Sequence, residues 1–153
     1  MRIKLQLIAF ALFLAFGAHC QAQTTETIFP KGELSTTKNH TGDVWLNELS
    51  TGDSTFDYGL AVATFAPGAK LDWHSHPGGQ ILLILDGTGY YQERGKPIRI
   101  VQKGDVIKCA PGVEHWHSAT PTTRLTYLAT TPTTKGKTIW LEPVTDKDYN
   151  SAK

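Results

Sequence analysis

The sequence predicts an all-β fold, a sandwich or small barrel of short strands. Short runs rich in β-branched and aromatic residues are each closed by a Gly or Pro turn. Beyond residue 22 no segment keeps a helical period, so the crossover helices that parallel strands need have no room. The length of 153 residues suits one domain with a core able to fold alone.

The first segment stands apart from that fold. Arg2 and Lys4 precede the apolar run "LIAFALFLAFGA" (7–18), which is too short to span a bilayer, and "AHCQAQ" then offers small residues for cleavage after Ala22. Residues 1–22 therefore read as a secretory signal peptide. The expectation is a periplasmic or secreted protein with no stable membrane insertion after cleavage. Residues 23–43 are polar and Thr-rich and read as an N-terminal arm. His40, within it, is expected to be solvated.

From Val44 the strand pattern begins. "VWLNEL" (44–49) runs to "STGDST", and "YGLAVATFA" (58–66) to Pro67-Gly68. "QILLILD" (80–86) stops at Gly87, "GYYQER" (89–94) at Gly95, "IRIVQ" (98–102) at Gly104 and "VIKCA" (106–110) at Pro111-Gly112. "RLTYLAT" (124–130) ends near Pro132, and "KTIWLEPV" (137–144) closes the set. No internal repeat is present.

Lys and Arg number 15 against 14 Asp and Glu, with no basic stripe, which argues against nucleic-acid binding. Cys20 leaves with the signal segment. Cys109, in the strand-like "DVIKCAP", is then alone and reads as a buried small hydrophobe.

The chemistry is concentrated in two histidine pairs. Side chains in a strand alternate between faces, so His74 and His76 point one way while Trp73 and Ser75 point the other. His115 and His117 in "VEHWHSA" repeat the device. On inward faces of a barrel the four imidazoles converge on a cavity, and neutral imidazole is the commonest ligand of a divalent first-row metal. The turn "PGG" (77–79) lets Gln80 meet them with a neutral amide oxygen, so a metal there keeps its full double charge. Leu82 and Ile84, in phase with Gln80, are expected to line the pocket, and Ala61 and Ala63 to leave room for substrate. Trp73 and Trp116 are expected to face outward, against a second copy or the N-terminal arm. Asp72 and Arg94 read as solvated or turn residues.

Gly68, His74, His76, Gln80 and Gly87 stand at the spacings of the first cupin motif, with Gln80 where most cupins have glutamate. "GDVIKCAPGVEHWH" (104–117) resembles the second cupin motif, with His115 as its histidine and Ala110 where proline is usual. The resemblance implies a double-stranded β-helix (jelly-roll) barrel over 44–149. "PGVEHWHSATPTTRLTYLA" and "WLEPVTDKDY" are further similar to small single-domain cupins of the carboxymuconolactone-decarboxylase-like group, some of which are manganese-dependent hydroxynitrile lyases acting on (R)-mandelonitrile. That resemblance implies His74, His76, Gln80 and His115 as metal ligands, and His117 as an additional pocket histidine. Tyr127 stands where those lyases carry another histidine.

The residues and the resemblance together predict a metal-dependent lyase for a small oxygenated molecule, cleaving or decarboxylating a carbon–carbon bond. His117 and Tyr127 are its catalytic candidates. The metal is expected to be manganese, with iron, nickel, zinc and cobalt compatible with the same shell. A quercetinase-like dioxygenase and a non-catalytic sugar or metabolite binder are the other two readings. A homodimer or homotetramer is expected.

Overall fold

The computed structural model describes residues 28–152. The expected signal peptide, residues 1–22, and Cys20 lie outside them. Twelve strands and one helical turn follow in order: β1 (Glu33–Leu34), β2 (His40–Thr41), β3 (Val44–Ser50), β4 (Tyr58–Phe65), β5 (Lys70–Leu71), β6 (His74–Ser75), β7 (Gln80–Glu93), β8 (Arg99–Gln102), β9 (Val106–Cys109), β10 (His115–Ala119), β11 (Leu125–Pro132), β12 (Ile139–Trp140) and α1 (Asp146–Tyr149). All pairings are antiparallel.

One long strand joins two sheets. The first half of β7 pairs with β11 and β9, its second half with β10 and β8. The two apolar runs expected on either side of Gly87 are thus one strand, bent where the sheets meet. Gly87 has φ +80°, and a Cβ there would fall 1.9 Å from the Arg124 carbonyl oxygen, so the corner accepts no side chain. Strands β1, β3, β4, β11 and β9 complete one sheet; β2, β5, β6, β12 and β8 join β10 in the other. The main core lies between them around Phe65, Leu82, Val101, Ile107 and Leu125. Leu82 and Ile84 belong to this core rather than to the pocket wall. Cys109 is buried there, and burial raises its thiol to about 11.

The tryptophans correct an expectation. Alternation does put Trp73 and Trp116 opposite the histidines, but that face is not exposed: Trp116 is 0 % accessible and Trp73 5 %. Residues of the C-terminal segment, Leu141, Val144 and Tyr149, pack over them as a second core. Trp73 and the segment exchange backbone hydrogen bonds (Trp73 N–H to Glu142 O, 3.0 Å; Leu141 N–H to Trp73 O, 2.8 Å). The Tyr149 hydroxyl donates to the Ala119 carbonyl at 2.9 Å. The strand expected over 137–144 is only Ile139–Trp140, and Pro143, which cannot donate to a sheet ladder, stands beyond it. The unforeseen turn α1 then forms on an N-cap at Thr145, whose hydroxyl accepts from Asp148 N–H at 3.0 Å.

Arg94 and Asp72 are likewise more engaged than expected. Arg94 lies 4.0 Å over the Trp73 ring and pairs with Glu114 and Glu142, while Asp72 is buried. The Trp116 indole N–H donates to Gln92 Oε1 at 2.8 Å. Trp116→Phe removes that donor and leaves a void beside Trp73 and Tyr149, and is expected to cost about 2–3 kcal/mol in urea unfolding.

Candidate metal centre

β6 and β10 lie side by side with His115 directly opposite His74. Both histidine pairs therefore start from one point of one sheet. The ring centroids of His74 lie 4.4 Å from His115, 5.1 Å from His117 and 5.2 Å from His76. All four residues are buried. Ring nitrogens of His74, His115 and His117 fall within 4.8 Å of one another, a group able to hold a metal ion. His76 is outside that group but close: its ring centroid is 5.5 Å from that of His115.

The hydrogen bonds separate the four. His74 Nδ1 meets the Asp72 carbonyl at 2.8 Å, His115 Nδ1 the Val113 carbonyl at 2.8 Å, and His76 Nδ1 the Thr138 hydroxyl at 3.2 Å. A carbonyl only accepts, so in His74 and His115 the proton sits on Nδ1 and Nε2 keeps its lone pair. His76 Nε2 and His115 Nε2 are buried with no partner. Gln80 matches them: its Nε2 donates to Thr131 Oγ1 at 3.2 Å, and its Oε1 is buried and unpartnered. His117 differs, since neither of its ring nitrogens has a partner. Burying acceptors without partners is costly, and a cation among them resolves that cost. The residues present therefore fit a divalent metal.

Electrostatics agree with neutral rings. Burial, then the neighbouring His115, pushes His74 down to about 3 and His76 down to about 4. Burial also lowers His115, and it sets His117 well below the usual histidine range. Metal ligation requires unprotonated imidazole, so no proton need be displaced at neutral pH.

A cavity of about 830 Å³ opens onto this cluster. His74, His76, Gln80, His117 and Tyr127 line it, with Ala61, Ala63, Phe65 and Leu71 as apolar wall. Ala61 and Ala63 stand where the sequence puts them. Fully buried His115 is not part of the wall and approaches from behind it. Tyr127 packs edge-on against His117 at 5.0 Å between centroids, and burial raises its phenol well above the ordinary value.

His40 is not a solvated arm residue. It sits in β2, paired with β5, on the cavity wall, with Nδ1 bonded to the Gly42 carbonyl and Nε2 buried. Sequence reasoning also missed Thr138 and Trp140. Their common face in "TIW" is a period-two signal, but nothing in it tells which strand β12 joins.

An antiparallel two-sheet barrel with a buried histidine cluster at its cavity defines the class of metal-binding jelly-roll proteins. A family model described as the cupin domain matches residues 61–131. The (R)-mandelonitrile lyase of Granulicella tundricola is 44% identical over 90 residues, 58% of this chain and 69% of that enzyme. A cupin-like protein of Thermotoga maritima, known from its crystal structure, superposes with a TM-score of 0.78 at 43% identity, covering 82% of this chain and 96% of the other. The (S)-ureidoglycine aminohydrolase of Arabidopsis thaliana is 33% identical over 114 residues, 73% of this chain but only 37% of that protein. The chain belongs to the cupin superfamily. Among the described residues no helix is long and apolar enough to cross a membrane.

Proposed function

We propose that this cupin is a metal-dependent lyase that breaks a carbon–carbon bond in a small hydroxylated molecule such as a cyanohydrin. The carrying observation is the set of oriented, unpartnered acceptors: His76 Nε2, His115 Nε2 and Gln80 Oε1, with His74 Nε2 set by its Nδ1 bond. These four residues would hold the metal, with manganese as the first candidate. A bound divalent cation supplies Lewis acidity toward a substrate oxygen and its developing negative charge. A neutral His/Gln shell leaves that charge undiminished.

His117 is the acid–base group in this reading. A ligand imidazole is held through its second nitrogen by a fixed partner, and His117 has none. It is free to accept the substrate hydroxyl proton as the carbon–carbon bond breaks, and to return a proton to the leaving cyanide. The Tyr127 hydroxyl orients the substrate, and the apolar wall around Phe65 excludes water. Support for this chemistry comes from the lyase relative and from the buried pocket histidine. We further propose that residues 1–22 direct export, which N-terminal sequencing of the mature protein tests.

The test is cleavage of (R)-mandelonitrile by metal-loaded protein, followed as benzaldehyde release, with His117→Ala beside it. Turnover by the wild type, lowered about 10²- to 10⁴-fold in the variant with metal content unchanged, is the expected result. Loss of the metal in His117→Ala would instead make His117 a ligand. Oxygen uptake would point to a dioxygenase, and binding without turnover to a metabolite carrier.

A further inference from the structure

The short C-terminal strand β12 reaches the histidine pair. In its register Trp140 lies opposite His74 and Ile139 opposite Ser75, so antiparallel continuation sets Thr138 across from His76. Both facing pairs make contact. The Trp140 ring lies 4.8 Å from His74 between centroids, and Thr138 Oγ1 is 3.2 Å from His76 Nδ1. Ile139, between them, points away and is exposed.

The three Nδ1 bonds of the cluster are not equivalent. His74 and His115 are each held by a carbonyl two residues before them, Asp72 and Val113, so their orientation is built into their own local backbone. His76 is followed directly by the Pro77-Gly78-Gly79 turn, and its Nδ1 partner comes from a residue 62 positions away. A hydroxyl can donate or accept, so it fixes a tautomer only when the other ring nitrogen has no use for a proton. With His76 Nε2 buried and turned to a metal, as the proposed function requires, the proton stays on Nδ1 and Thr138 accepts it.

We propose that Thr138 is a positioning residue. It holds His76 as the Nδ1–H tautomer and aims the Nε2 lone pair into the cavity, so that the C-terminal segment completes the metal centre. The inference rests on His76 being a metal ligand, as in the function proposed above. Partners of this kind set ring orientation and ligand basicity, and their loss typically weakens metal binding about 10- to 100-fold.

The test uses Thr138→Val, which keeps the side-chain shape, and Thr138→Ser, which keeps the hydroxyl. Metal-free protein is titrated with Co²⁺ against a competing chelator, read by the visible absorption of bound cobalt. The expected result is a dissociation constant raised about 10- to 100-fold in Thr138→Val and returned to within about threefold of wild type in Thr138→Ser. Nitrogen-15 NMR of the metal-free proteins gives a readout that altered packing alone would not move. His76 is expected as a single Nδ1–H tautomer in wild type and as a mixture in Thr138→Val. Unchanged cobalt affinity with an unchanged tautomer in Thr138→Val overturns the proposal. Failure of wild-type protein to bind cobalt would overturn the metal-lyase reading as well. Tight binding without lyase activity would count against the proposed reaction and leave the Thr138 result readable.

Discussion

Replacing His115 with alanine is expected to abolish metal binding. The loss should exceed the roughly 10- to 100-fold that follows removal of an outer hydrogen-bonding partner, because a donor atom itself is deleted. His115 occupies a central place: its ring lies 4.4 Å from His74, 5.5 Å from His76 and 5.8 Å from His117 between centroids. It also lies behind the cavity wall, so the variant leaves the wall residues in place. Elemental analysis of purified protein gives the primary readout. A thermal or urea melt gives the second, since a ligand present at a hundredfold excess over its dissociation constant adds about 2.7 kcal/mol to stability. That increment should be present in wild type and absent in His115→Ala. The control is His40→Ala, a cavity-wall histidine outside the proposed ligand set, which should keep the metal. Full metal occupancy in His115→Ala would remove the proposed ligand set.

Much of this site was legible because its signals are local. A His-x-His pair on a strand needs only the period of two to place both rings on one face, and a second pair demands a shared destination. Gln80 was readable for the same reason, since the glycine turn limits where it can go. What escaped was tertiary. Alternation put Trp73 and Trp116 on the face opposite the ligands, but could not say that residues 141–149 return to cover it. The covering segment reads as a strand broken by Pro143 and a one-turn helix, and its docking depends on Tyr149 finding a carbonyl 30 residues away. Thr138 escaped for a related reason: its role exists only in the register of β12 against β6. The polar neighbours of His40 point to a solvated residue, whereas two residues of pairing with β5 put it on the cavity wall. Thr131 shows the same limit. Its hydroxyl orients the Gln80 amide from a strand that the sequence offers only as another β segment.

Acid should unfold the metal-free protein far more readily than a protein without buried histidines. In the unfolded chain each histidine takes up a proton as pH falls through about 6.5. In the fold, burial holds His74 to about 3 and His76 to about 4. Between those values the unfolded state carries more protons than the native one, so lowering pH favours unfolding. The stability is fully present above about 6.5 and drains away as pH falls toward the folded values. Within that window each group costs about 1.4 kcal/mol per pH unit, so this pair alone is expected to remove about 3–4 kcal/mol between pH 7.5 and 5. His115 and His117 act in the same direction, being lowered by the same burial. Asp72 opposes them, because burial raises its carboxyl, but it titrates from a lower starting value. Bound metal shifts the onset to lower pH, since protons must first displace it from the ligand nitrogens. Urea unfolding at pH 7.5 and 5, with and without chelator, separates these effects. A metal-free protein equally stable at both values would mean that the imidazoles are hydrated, and a buried neutral cluster would no longer describe the site.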